Sequence, residues 1–175
     1  MDLSAGQLVA FQELLDRQAI RDVLARYARG CDRVAPELMA SVYHEDSWDF
    51  HGVFEGPGAE LASDEKRQQA HNVIAHHALC QMHIELDGDV ARCETYYIAS
   101  GIREYETGRR VRLICGRYLD RFERRDGVWK IAVRRALVDY SQETPEGPIW
   151  PPEPSFTKGA RWPTDPNACR SATRR

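Results

Sequence analysis

The run from Ala75 to Asp89, AHHALCQMHIELDGD, sets the reading of the whole chain. Two adjacent histidines open an alternating segment that ends in the turn signal Asp87-Gly88-Asp89, a pattern that predicts a strand followed by a tight reversal. Strict alternation puts Leu79, Gln81, His83 and Glu85 on the side of His77, and Ala78, Cys80, Met82, Ile84 and Leu86 on an apolar opposite side. Downstream, the spacing predicts three more long strands, Val90 to about Tyr105, Arg109 to Arg124 and Val128 to Tyr140. Their connections, Asp87-Gly88, Thr107-Gly108 and Asp126-Gly127, are turn-sized, so neighbouring strands should pair antiparallel.

Upstream of this run the period changes. Phe11, Leu14, Leu15, Ile20, Val23, Leu24 and Tyr27 recur at helical spacing between Gln7 and about Arg29, and Gly30 is expected to end that helix and turn Cys31 and Asp32 off its face. Pro36 opens a short helix from Glu37 to Tyr43. Trp48, Phe50 and His51 suggest a short strand. Gly52, Gly56, Pro57 and Gly58 break it before a polar helix from Ala59 to about Asn72. Helices first and a meander after them imply an α+β fold, in which one curved antiparallel sheet wraps the N-terminal helices as a cone-shaped α+β barrel with an internal pocket. Residues 1–143 form this domain. Residues 144–175 are a proline-rich and tryptophan-containing tail that cannot be helix or central strand, and is expected to pack over the pocket mouth or on a neighbouring subunit.

Composition narrows the function. The chain has 175 residues, 42% of them hydrophobic, which suits one domain with a real core. Its 24 basic and 27 acidic residues are interspersed and leave a net charge of −3, so there is no basic field for nucleic acid. No apolar run approaches the ~20 residues of a membrane span, and the N-terminus lacks a signal-peptide pattern, so a cytoplasmic protein is expected. Five scattered cysteines without a Cys-x-x-Cys argue against both a disulfide framework and a structural zinc.

A neutral imidazole at a strand end can accept a proton near pH 7 when a carboxylate fixes its tautomer. His77 is the candidate base and Asp32 its partner. The competing readings are a polar strand edge for His77 and a cap or turn residue for Asp32. His71, His76 and His83 stand near His77 in sequence, but no His-x-His or His-Glu-x-x-His spacing occurs, so no metal is expected.

Ile20-Arg21-Asp22-Val23-Leu24-Ala25-Arg26-Tyr27, Asp32, the His77 strand with Ile84-Glu85-Leu86-Asp87-Gly88-Asp89, and Arg124-Arg125-Asp126-Gly127-Val128-Trp129-Lys130-Ile131 together resemble the SnoaL-like family over about residues 8 to 140. That resemblance implies the cone fold of the nuclear-transport-factor-like proteins, a His and Asp pair at His77 and Asp32, a last-strand arginine at Arg134, and a pocket hydroxyl at Tyr27. A lysine found in the dehydrochlorinase members is replaced by Tyr27, which disfavours dehalogenation. The family's Thr-x-His and following Asn are Ala75 and Gln81 here, so the polar support of the histidine differs. Of Arg134 and Arg135, adjacent on a strand, only one can face the pocket. Trp48, Phe50, Ile114 and Tyr118, with Gln81, are the expected substrate-binding wall.

The resemblance implies a cofactor-independent lyase, a dehydratase or a related elimination or C–C cleavage enzyme, acting on a small hydrophobic cyclic or aromatic substrate. A double-bond isomerase or cyclase would use the same base. A non-catalytic small subunit of a ring-hydroxylating dioxygenase, or a ligand-binding module, is the reading from another class. Strands with apolar residues on both sides predict a homo-oligomer, and the resembling lyases favour a trimer.

Overall fold

In a computed structural model of the chain, which describes residues 3–52, 54–63, 72–147, 159–161 and 164–165, helix α1 spans Ala5–Arg33. A capping box starts it. The Ser4 hydroxyl accepts the Gln7 N–H at 3.3 Å while the Gln7 side chain accepts the Ser4 N–H at 2.8 Å. The helix does not stop at Gly30, as the glycine suggested. It continues to a left-handed Val34 (φ 54°), whose N–H returns to the carbonyls of Gly30 and Cys31. Gly30 serves packing instead: a Cβ there would lie 2.9 Å from that of Met39, so its absence lets helix α2, Pro36–Ala40, rest directly on α1. Asp32 therefore sits in the last helical turn.

After α2 come strand β1, Tyr43–His51, strand β2, Phe54–Pro57, and helix α3, Gly58–Ser63. The rest of the helix expected up to Asn72 lies outside the described residues. Four long strands follow, β3, Asn72–Asp87, β4, Val90–Tyr105, β5, Gly108–Arg125, and β6, Val128–Pro145. With β1 and β2 they form one curved, unclosed six-stranded sheet in the order β2-β1-β6-β5-β4-β3, antiparallel except where β1 runs parallel to β6. Strand β6 runs five residues past the expected end at Tyr140. Pro145 is its last residue, opposite Arg110, and β1 pairs with β6 only as far as Arg135, so the proline has no ladder to interrupt on that side.

The first helix packs on the sheet through its C-terminal part. Ile20, Val23, Leu24 and Tyr27 join Ile84, Cys93, Tyr97, Tyr118, Phe122 and Ile131 of the strands in one core. Phe11, Leu14 and Leu15, expected on the buried stripe, are exposed in the N-terminal half of α1. The opposite face of the sheet is also apolar in places, with Trp48, Tyr96, Ile98, Leu119, Val133 and Tyr140 exposed.

Strict alternation fails in β3. Leu79 pairs with Tyr97 and Met82 with Thr95, so Cys80 and Gln81 together oppose Tyr96 in a β-bulge. The extra residue reverses the phase. His77 and Leu79 lie on the core side before it and Met82, Ile84 and Leu86 after it, while Cys80, Gln81, His83 and Glu85 are exposed. Among the described residues no helix is long and apolar enough to cross a membrane.

Candidate functional site

The last turn of α1 and the start of β3 bring Asp32 and His77 together across 45 residues of sequence. Asp32 Oδ1 lies 2.6 Å from His77 Nδ1, and Asp32 Oδ2 accepts the backbone N–H of His77 at 3.0 Å. One carboxylate thus fixes both the ring and the strand that carries it. A carboxylate only accepts, so Nδ1 bears the hydrogen and Nε2 keeps its lone pair. Nε2 has no hydrogen-bond partner among the described residues, and the His77 side chain is 19% exposed against 10% for Asp32. An oriented, partly accessible imidazole lone pair is what proton abstraction requires.

A buried polar cluster lies between α1 and the sheet, around Arg134. Arg134 Nε and Nη2 donate to Asp120 Oδ1 and Oδ2 at 2.8 and 2.7 Å, and both side chains are wholly buried. The guanidinium carbon sits 4.1 Å from the ring centre of Tyr27 and 4.2 Å from that of Tyr118. Burial opposes its charge, but Asp120 and the surrounding phenols hold the Arg134 pKa well above its ordinary value. Its third nitrogen, Nη1, is buried without a hydrogen-bond partner among the described residues. In the parallel ladder Arg134 faces Asp49, whose Oδ2 accepts the Tyr43 hydroxyl at 2.5 Å and whose Oδ1 is 3.3 Å from His51 Nδ1.

Tyr27 lays its ring against the Arg134 guanidinium and sets its hydroxyl beside the Cys31 thiol. It meets Tyr43 and Tyr118 edge-on at 6.2 and 5.7 Å, and burial raises its pKa far enough to keep the phenol protonated. Tyr118 stacks on Tyr97 at 4.3 Å, and Ile114 lies partly buried against the same core. Arg134 takes the inner position and Arg135 the outer, where its guanidinium covers the ring of Phe50 at 4.2 Å.

Three expected wall residues are placed elsewhere. Trp48 is 42% exposed, between the fully buried Ser47 and Asp49, and Phe50 shares its outer phase beneath Arg135. Asp49 takes the inner face, where the Tyr43 hydroxyl bonds it and Arg134 stands opposite in the ladder, which leaves the aromatics outside. Gln81 is exposed because it occupies the bulge.

Asp120, Asp49, Tyr43, Tyr97 and His51 escaped the sequence reading. Asp120 carried a signal: it alternates with Tyr118 and Phe122, so an acid was bound to share the face of two large aromatics. Among the described residues no three His, Cys, Asp or Glu side chains converge as a metal site would require.

A family model described as SnoaL-like domain matches residues 12–135. Comparison with curated protein sequences returns no match. Among solved structures, the chain is similar to LinA at 25% identity and TM-score 0.72, covering 83% of this chain and 99% of that one. It is also similar to hexachlorocyclohexane dehydrochlorinase LinA-type3 from Novosphingobium barchaimii LL02, at 23% identity and TM-score 0.71 over 82% and 99% of the two chains. A scytalone dehydratase-like protein from Novosphingobium aromaticivorans follows at 18% identity and TM-score 0.67, over 76% and 90%.

Proposed function

The chain belongs to the SnoaL-like domain family, and from that premise we propose that it is a cofactor-independent lyase that removes a proton from carbon and expels water, or cleaves a C–C bond, on a small hydrophobic cyclic or aromatic substrate. The observation that carries the reading is the 2.6 Å contact between Asp32 and His77 Nδ1, which leaves Nε2 as the base. Asp32 holds the tautomer and stabilises the imidazolium that forms, as the carboxylate does in a Ser-His-Asp triad. Arg134, with Nη1 still available, donates to a carbonyl or enolate oxygen of the substrate, while Tyr27, Tyr97, Tyr118 and Ile114 supply an apolar, aromatic surface. Solved neighbours named as a dehydrochlorinase and as scytalone dehydratase-like support elimination chemistry over ligand storage.

A double-bond isomerase is the second reading, because proton abstraction by the same nitrogen begins both reactions. The exposed apolar residues of α1 and of the outer sheet face support a homo-oligomer, with a trimer favoured. The test is incubation of the protein in D2O with a panel of cyclic hydroxyketones and phenolic compounds, followed by NMR. Loss of water, or deuterium entering the carbon skeleton, should appear with the wild type and fall by on the order of a hundredfold or more in His77→Ala. Turnover that survives His77→Ala unchanged would refute the assignment.

A further inference from the structure

Helix α1 carries a second apolar face. Phe11, Leu14 and Leu15 each stand nine residues before one of the buried Ile20, Val23 and Leu24. Nine residues are about two and a half helical turns, so the two sets point to opposite sides of the helix. The buried set packs on the strands. The other set, extended by Leu8 on the same side, faces solvent: Leu8 is 54% exposed, Phe11 53%, Leu14 65% and Leu15 47%. Beyond Leu15 the stripe turns polar, because Gln18 and Asp22 continue its line and bond each other at 2.7 Å.

This face is poor in charge as well as apolar. From Leu3 to Leu15 the chain has one ionisable side chain, Glu13, although 29% of all its residues are charged. Glu13 lies about 160° round the helix from Phe11, away from the stripe. A helix that rests on a membrane carries Lys or Arg on its polar face. Here the first basic residue is Arg17, and its Nη1 is bound to the Ile84 carbonyl at 2.6 Å. Depletion of charge is instead the mark of the core of a protein interface. Leu3, 53% exposed, precedes the Ser4 cap in the position that adjoins Leu8. Together the five side chains offer roughly 550 Å² per copy, so a pair of copies would bury about 1,100 Å², enough for a specific interface.

We propose that this face binds the same face of a second copy of the chain, as an antiparallel pair of α1 helices around a twofold axis at Phe11. The contact is self-complementary: Phe11 meets its own copy on the axis, and Leu8 of each chain meets Leu14 and Leu15 of the other. Running antiparallel, the helices oppose their dipoles and carry the two sheets to opposite ends of the pair. The inference rests on the homo-oligomer reading and names a contact for it. The outer sheet face is a separate surface; if that face joins three chains, the α1 contact joins two such trimers.

The test is the molar mass of the full chain, measured by light scattering over a range of concentrations. Wild type should contain an even number of 20.0 kDa chains. Phe11→Lys and Phe11→Glu each set like charges against each other on the axis and should each halve that mass, with circular dichroism unchanged because the position is exposed. An equimolar mixture of the two variants should regain the wild-type mass, since opposite charges then meet. That recovery is particular to self-pairing; a different protein or a lipid surface on this face would not produce it. Leu14→Gln, an uncharged change compatible with a helix, should weaken the pairing at least fivefold and decides the matter should a charged variant not fold. A wild type of single chains overturns both the contact and the homo-oligomer reading. An oligomer whose mass and affinity none of these variants changes keeps that reading and overturns the contact, as does a mixture that stays at half the mass.

Discussion

Arg134 meets Asp120 fork against fork, at 2.8 and 2.7 Å, with neither side chain reaching solvent. Such a pair adds little net stability, because both charges were taken from water, but removing one partner strands the other. Asp120→Asn should lower unfolding free energy by about 3–5 kcal/mol in a urea titration. Replacing both, as Arg134→Met with Asp120→Leu, should recover much of that loss. A double variant as unstable as the single one would show that the tyrosine stacking of Arg134, not its ion pair, dominates.

Where alternation and turn signals act alone, the sequence was legible. The Asp87-Gly88, Thr107-Gly108 and Asp126-Gly127 turns stand where expected, with Gly88, Gly108 and Gly127 at positive φ. The Asp32 and His77 pair came from the family resemblance, since position alone left each with an ordinary turn or strand-edge reading. What could not be read was phase. The bulge at Cys80 and Gln81 leaves no compositional mark, because β-branched or glycine signals are absent there, and it alone decides that His77 and Ile84 share a face. Deleting Gln81 should force one of them outward. If the apolar half prevails, His77 leaves Asp32; if the dyad prevails, Met82 and Ile84 are exposed, at a cost of roughly 2–5 kcal/mol by analogy with losing a large core side chain. Thermal unfolding together with the His77 ring signals distinguishes the two, and a variant with both unchanged would contradict the bulge.

His44 gives the fold a pH dependence of its own. The ring is buried, with Nε2 2.9 Å from the Glu123 carbonyl, a contact that requires an N–H and suits the neutral imidazole. Burial, then the charges of Arg125 and Lys130, lower its pKa from 6.5, with Asp46 opposing. As pH falls below 6.5 the unfolded chain takes up the proton first. Stability therefore declines with falling pH until the folded ring also protonates, and then levels off. His44→Gln can keep a donor to Glu123 without titrating. Subtracting its stability profile from that of the wild type, between pH 7.5 and 5, should leave a loss of about 1.4 kcal/mol for each unit of depression. A flat difference would place no depressed histidine at this site.

Asp32 holds two hydrogens of His77 at once, one on the ring and one on the backbone. Asp32→Asn keeps one acceptor oxygen and replaces the other with a donor, so the two bonds cannot both persist in their present form. If the amide oxygen stays with the backbone N–H, the amide nitrogen faces Nδ1 and favours the tautomer with the hydrogen on Nε2. That tautomer turns a donor, not a lone pair, toward the substrate, and a base becomes inert without any change of fold. Nitrogen-15 correlation spectra at neutral pH should therefore show the Nδ1–H form of His77 in the wild type and a substantial Nε2–H form in Asp32→Asn, while circular dichroism stays the same. Turnover should fall by several orders of magnitude, as it does when the carboxylate of a Ser-His-Asp triad is neutralised. An Asp32→Asn protein with the wild-type tautomer and wild-type turnover would remove the aspartate from the mechanism and leave it only as the tie between α1 and β3.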